Sequence, residues 1–181
     1  MGIQELELQF LLWLQEIHTP FLDRVMTFIT HLGDGGVLFM AAGAAMLFFP
    51  RTRKMGLAVL LSLLAGFLAG NLLLKNIIAR DRPCWLMPEV ALLIGSPEDF
   101  SFPSGHTLAS FETAFSILLY NRRWGIFTLF LAAAIAFSRM YHFVHFPTDV
   151  LAAMVLAAVV AVLVHKWIEK SKISAIISHA E

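Results

Sequence analysis

This sequence has little of what a soluble domain needs. Only 14% of its 181 residues are Asp, Glu, Lys or Arg, against 59% that are hydrophobic, an apolar share above that of a soluble domain of this size. An all-helical soluble protein with a large core fits poorly, because too little polar surface would remain to cover it. The single cysteine, Cys84, excludes an intrachain disulfide and supplies no metal cluster. Thirteen basic and thirteen acidic residues cancel to zero net charge. No basic tract points to nucleic acid, and no Gly/Ser linker or internal repeat divides the chain. One membrane domain is what these absences leave.

What is present is a series of apolar runs, too many to be a signal peptide. Five of them, at residues 36–49, 55–78, 105–120, 124–136 and 150–167, are bounded by charge, Pro or Gly, as spans that stop at the interface are. The first is short for a hydrocarbon core of roughly 30 Å and is expected to extend back toward Gly33 or to tilt little. Trp124 and Trp167 sit at span ends, where interfacial aromatics belong. Residues 6–14 and 21–32 are also apolar, but Glu5, Glu7, Glu16, Asp23 and Arg24 interrupt them. They read as two interfacial helices joined near Thr19 and Pro20, with a sixth, broken span as the alternative. The expected fold is therefore all-α, a polytopic transmembrane bundle. Residues 1–32 form its interfacial part, 33–170 its transmembrane core and 171–181 a short tail. Small residues at Gly66 and Gly70 suit close packing inside the bundle, with homodimerisation as the lesser reading.

Counting spans assigns the connectors to faces. Arg51, Arg53, Lys54, Arg122, Arg123, Lys166, Lys170 and Lys172 fall on one side, eight cations against five (Arg24, Lys75, Arg80, Arg82 and Arg139) on the other. The positive-inside rule places the first group, and the C-terminus, in the cytoplasm.

The residues that hydropathy does not demand share the opposite, outer face. Lys75, Arg80 and Arg82 close the second run. Ser104, Gly105 and His106 open the third. Arg139 ends the fourth, and His145 and Asp149 flank the start of the fifth. Lys75, Arg82 and Arg139 are cationic donors, and guanidinium groups clamp phosphate bidentately. Ser104 and Gly105 stand where a loop becomes a helix, a place whose free N–H groups and dipole favour an anion. His145 and Asp149 are spaced i, i+4, on one face if the helix begins by His145, so the carboxylate can orient the imidazole as a nucleophile. His106 is placed to protonate a departing oxygen.

Lys75, six residues, then Arg82-Pro83; Pro103-Ser104-Gly105-His106; and Ser138-Arg139, five residues, His145, three residues, Asp149 resemble the three signatures of the type-2 phosphatidic-acid phosphatase family. That resemblance implies a helical bundle and a phosphohistidine on His145, with Asp149 as its orienter and His106 as general acid. Lys75, Arg82, Ser104, Gly105 and Arg139 would bind phosphate, without metal or cofactor. It implies an enzyme acting on a lipid phosphate or diphosphate, and the charge count places that activity on the outer face of a plasma membrane. A polyprenyl diphosphate such as undecaprenyl diphosphate is the leading substrate, and phosphatidic acid or phosphatidylglycerol phosphate the alternative. A lipid phosphotransferase and a non-hydrolysing lipid-phosphate binder are the competing classes; the nucleophile–orienter pair speaks against the binder. One local departure is Phe143, where family members often carry glycine two residues before the histidine.

The remaining polar residues read more blandly. Arg80 and Asp81 suit a local ion pair or solvated groups, and His142 an interfacial position. Glu112, inside the third run, points away from His106's face and suits a structural partner or a protonated state. Residues 85–102 either line the way in for a lipid tail or pack on the helix ends.

Overall fold

The computed structural model describes residues 2–171, so Lys172 and all of the expected tail except Ser171 lie outside the described residues. Every regular element among those residues is helical. Two short helices come first, α1 (Ile3–Glu16) and α2 (Pro20–His31), and a 3-10 turn at Asp34–Gly36 leads into α3 (Val37–Leu47). The helix α4 (Arg53–Gly66) continues through a π-helical stretch, Phe67–Leu74, into α5 (Lys75–Ile78), with α6 (Pro83–Leu86) close behind. The bundle is completed by α7 (Gly105–Tyr120), α8 (Arg122–Tyr141) and α9 (Pro147–Lys170).

Local chemistry sets the helix starts. The Thr19 hydroxyl accepts from Leu22 N–H ahead of Pro20, the Ser104 hydroxyl from Thr107 N–H, and the Asn121 side chain from Trp124 N–H. Each satisfies a donor that has no partner inside its helix. Pro147 opens α9, and Asp149, in its first turn, accepts from Phe146 N–H at 2.8 Å.

Among the described residues four stretches are long and apolar enough to cross a membrane: Pro20–Leu47, Pro50–Leu86, Arg122–Tyr141 and Pro147–Lys170. With 16 residues, α7 is shorter and sits at the centre, packed on α4, α8 and α9. Leu108, Phe111 and Ala114 of α7 meet Ala132 and Ala136 of α8 and Val150, Ala153 and Ala157 of α9. The alanines let the helix axes come close, the packing that suits a bundle with no water to squeeze out. Outward-facing Phe21, Phe48, Phe127, Phe130 and Val155 are mostly exposed, as side chains facing hydrocarbon would be.

Both small residues of the Gly66/Gly70 pair turn toward α7. Gly66 lies so close to the Glu112 carboxyl that a Cβ would overlap it, and a Cβ on Gly70 would meet the Leu108 side chain. This pair is therefore used inside the bundle.

The N-terminal helices lie across the end of the bundle that carries the motifs. Asp23 near the start of α2 accepts from the Tyr141 hydroxyl, and Thr30 near its end accepts from Arg139, both at 2.6 Å. These two bonds tie both ends of α2 to the last turn of α8. Leu11 and Leu14 of α1 are buried against Cys84, Phe143, Val144 and Phe146, so α1 covers the loop before α9.

In that loop Phe143 has φ +59°, the left-handed region that costs a non-glycine residue roughly 1–2 kcal/mol. The family's glycine preference thus matches the backbone, and this chain keeps a fully buried ring there instead. Phe143→Ala loses the ring, about 3–5 kcal/mol, and keeps the strain; Phe143→Gly loses the ring and relieves the strain. Thermal unfolding in detergent is expected to rank Gly above Ala by about 1 kcal/mol, the reverse of their order in a helix. Ala above Gly would show that the loop carries no such strain.

Candidate active site

The loop Phe143–Phe146, the end of α5 and the start of α7 meet at one end of the bundle. Seven of the motif positions converge there or directly behind. Lys75, Arg82, Gly105, His106, Arg139 and His145 line one cavity of about 750 Å³, and Asp149 is completely buried behind His145. Ser104 is placed differently. Its hydroxyl caps α7, receiving Thr107 N–H at 3.4 Å and the Thr107 hydroxyl at 2.9 Å, and it does not line the cavity.

Arg82 is the most heavily bonded of the cations. It donates to the backbone carbonyls of Asp99 at 2.6 Å, Val144 at 2.7 Å and Phe100 at 3.2 Å, and to the Asp99 carboxylate at 2.7 Å. Its Nη1 also lies 3.1 Å from His145 Nε2. A guanidinium can only donate, so Nε2 carries the lone pair and Nδ1 the proton. That proton faces Ser101 Oγ at 3.4 Å and Asp149 Oδ2 at 3.7 Å. Arg139, also buried, lines the same cavity as Lys75 and Arg82, and its buried Nε has no partner among the described residues.

Around this geometry the comparisons with known proteins agree. Residues 54–173 match the PAP2 superfamily. The chain belongs to that superfamily. It is a phosphohydrolase and a multi-pass membrane protein. It is 32% identical to the undecaprenyl-diphosphatase of Sulfolobus acidocaldarius, over 78% of this chain and 68% of that one. It is 34% identical to phosphatidylglycerophosphatase B of Bacillus subtilis, over 86% of this chain and 80% of that one. The crystal structure of a transmembrane PAP2-type phosphatidylglycerolphosphate phosphatase from Bacillus subtilis superposes with TM-score 0.77 at 31% identity, covering 93% of this chain and 87% of that one.

Several side chains of this PAP2 site were not among the motif residues. Asp99 stands between two cations, 2.5 Å from Lys75 Nζ and 2.7 Å from Arg82. Burial pushes its carboxyl up, but the Lys75 hydrogen bond and the Lys75 and Arg82 charges outweigh that and hold it at about 2. Ser101 is fully buried and donates to Asp149 Oδ2 at 2.5 Å. The expected Asp149–His145 pair is thus looser than a hydrogen bond. The helix α9 begins at Pro147, so His145 precedes it, and the Ser101 hydroxyl and Phe146 N–H occupy the oxygen that faces the imidazole.

Arg80 is neither solvated nor paired with Asp81. It reaches Asp149 Oδ1 and Glu7 Oε2, both at 2.7 Å, and its guanidinium lies 3.8 Å above the Phe146 ring. Glu7 in turn accepts from the Thr148 N–H and hydroxyl. The buried acid in α1 is therefore bonded to the start of α9. In the sequence Glu7 is a carboxylate inside an apolar run, which needs some partner but does not say which. His142 is buried rather than interfacial, 1% exposed. Glu112 lines the deep part of the cavity with one oxygen unpartnered.

Among the described residues no group of three or more His, Cys, Asp or Glu is arranged to hold a metal ion; Lys75, Arg82 and Arg139 line the cavity.

Burial, and after it the charges of Arg82, Arg139, Lys75 and His106, hold His145 well below the ordinary histidine range. The imidazole is then neutral at physiological pH, as a nucleophile must be. The sign for stability follows. As pH falls through about 6.5 the unfolded chain binds a proton here that the folded chain does not, so stability falls. Unfolding of the wild type and of His145→Asn, followed from pH 7.5 to 5.5, is expected to show the wild type losing ground to the variant by up to about 1.4 kcal/mol per pH unit. Parallel curves would mean that His145 titrates normally in the folded protein.

Proposed function

We propose that this chain hydrolyses a lipid diphosphate, with a polyprenyl diphosphate such as undecaprenyl diphosphate as its substrate, through a phosphohistidine on His145. The observation that carries this reading is the Nε2 lone pair of His145 standing beside Arg82, in a cavity that Lys75 and Arg139 also line. A phosphoryl group seated there would meet a neutral nucleophile and three cations able to take up the charge that builds in the transition state. The Gly105 end of α7 would add its N–H groups and dipole.

The chemistry then runs in two steps. His145 Nε2 attacks phosphorus and the bond from phosphorus to the leaving oxygen breaks, that oxygen taking a proton from His106. Water, giving a proton back to His106, attacks the phosphohistidine; the P–N bond breaks and inorganic phosphate leaves. Asp149 and Ser101 steady the Nδ1 side of His145. No step calls for a metal ion.

The apolar part of the cavity, lined by Leu60, Leu63, Leu64, Phe67 and Leu108, suits a hydrocarbon tail, and the Sulfolobus relative is named for a polyprenyl diphosphate. A glycerolipid phosphate is the second reading, favoured by the Bacillus relative and the solved fold. The charge distribution supports five crossings with the site outside and the C-terminus cytoplasmic, and α1 and α2 lying on the outer surface.

Phosphate release from purified protein with undecaprenyl diphosphate, shorter prenyl diphosphates, phosphatidic acid and phosphatidylglycerol phosphate tests this. Activity is expected to persist in excess EDTA and to fall as the prenyl chain shortens, by about 0.8 kcal/mol of binding per methylene lost until the groove ends. Equal kcat/KM on phosphatidic acid would transfer the assignment to the glycerolipids. Dependence on added magnesium would contradict the metal-free route.

A further inference from the structure

His106 has a partner that its motif does not contain. The 3-10 turn between α2 and α3 carries Asp34, and its Oδ1 lies 2.8 Å from His106 Nε2. The turn is built to bring it there. Gly35 and Gly36 have φ of +58° and +66°, conformations that glycine adopts without cost, and together they swing the chain back toward α7. Gly33, just before, packs against the imidazole; a Cβ at that position would stand 2.6 Å from His106 Cδ2. The ring is thus held between the Gly33 backbone and the Asp34 carboxylate. The second carboxylate oxygen of Asp34 accepts from His31 Nδ1 at 2.7 Å, which keeps the carboxylate itself from turning.

With Nε2 donating to Asp34, the other ring nitrogen, Nδ1, is the one left to meet a substrate. It has no hydrogen-bond partner among the described residues, while the ring lines the cavity beside Arg139 and His145. The Asp34 side chain remains 55% exposed. A hydrogen bond whose acceptor is so open to solvent contributes little to folding, about 0.5–1.5 kcal/mol, so stability alone is a weak reason for the arrangement.

We infer that Asp34 is a positioning residue for His106, fixing Nδ1 as the nitrogen that gives a proton to the leaving oxygen and later takes one from water. This rests on the two-step reading above. In the first step His106 is doubly protonated; the Nδ1 proton passes to the oxygen that leaves phosphorus, and Nε2–H stays on Asp34. The neutral ring then has its lone pair on Nδ1 and accepts the proton of the water that attacks phospho-His145. The carboxylate stabilises the charged ring before the first transfer and after the second, as the acid of a catalytic triad does for its imidazole. Asp34 precedes the stretch matched to the superfamily, residues 54–173, so the segment before that stretch contributes to the chemistry.

A leaving-group series separates this role from a structural one. The full-length protein in detergent is assayed for kcat/KM on p-nitrophenyl phosphate, phenyl phosphate and an alkyl phosphate, whose leaving groups need progressively more protonation. Asp34→Asn is expected to cut kcat/KM on the alkyl phosphate by about 10- to 100-fold, part of the roughly 10²–10⁴ that a general acid supplies. It should change p-nitrophenyl phosphate by no more than about 3-fold, because that oxygen leaves unprotonated. Asp34→Glu, which keeps a carboxylate, should restore part of the alkyl activity, and inhibition by vanadate should be little altered in both variants. A loss of equal size with every leaving group, or no loss at all, would overturn the inference. His106→Ala in the same series tells the two failures apart. If it steepens the dependence on leaving group and Asp34→Asn does not, Asp34 has no such role and the two-step reading stands. If His106→Ala also leaves the dependence flat, His106 is not the acid and both fall.

Discussion

Three cations around one buried space are the constraint on which the rest of this structure depends. Lys75, Arg82 and Arg139 are each no more than 6% exposed, and burying a charge without a partner costs several kcal/mol even after relaxation. The fold meets that cost with what lies nearest. Asp99 holds Lys75 and Arg82, backbone carbonyls of residues 99, 100 and 144 take up more of Arg82, and Thr30 takes Arg139. Among the described residues the Arg139 Nε is left without a partner, which fits the proposed phosphate site. The placement of residues 85–102 and the covering helices α1 and α2 both follow from this, since each brings an acceptor or a cover to the same end of the bundle.

The second requirement is that two histidines in a strongly positive space keep defined tautomers. Each has a carboxylate near one ring nitrogen, Asp149 behind His145 and Asp34 beside His106. Asp149 is completely buried and is itself held by Ser101, Arg80 and Phe146 N–H. Asp34 is half exposed and shared with His31. The contrast fits the two proposed tasks. A nucleophile must present one atom in one direction, whereas an acid and base that works twice per turnover needs solvent and protons within reach.

How much of this could be read from the sequence depends on how far apart the partners lie in the chain. Spacing within a helix or turn is local, and the three motif clusters, placed on one face by counting spans, are indeed at one end of the bundle. The runs that became α4, α8 and α9 were legible for the same reason, because apolar length is a property of a single segment. Asp34 with His106, separated by 72 residues, and Glu7 with Thr148, separated by 141, carry no such mark. In the sequence Glu7 is only an interruption in an apolar run and Asp34 a turn residue between glycines. Ser101 and Asp99 were passed over because a loop of mixed composition does not say which of its polar atoms faces inward. The i, i+4 spacing of His145 and Asp149 suggested a direct pair along a helix. Pro147, which suits the first turn of a helix and not its interior, shows why the helix starts after His145.

In the proposed reaction His145, and not His106, receives the phosphoryl group. The direct measurement is to mix the protein with a radiolabelled phosphate substrate, quench within a turnover and map the labelled peptide. An acid-labile, base-stable label is expected on the peptide that contains His145, absent from His145→Ala and still formed, more slowly, by His106→Ala. A label that persists in His145→Ala and disappears in His106→Ala would contradict it.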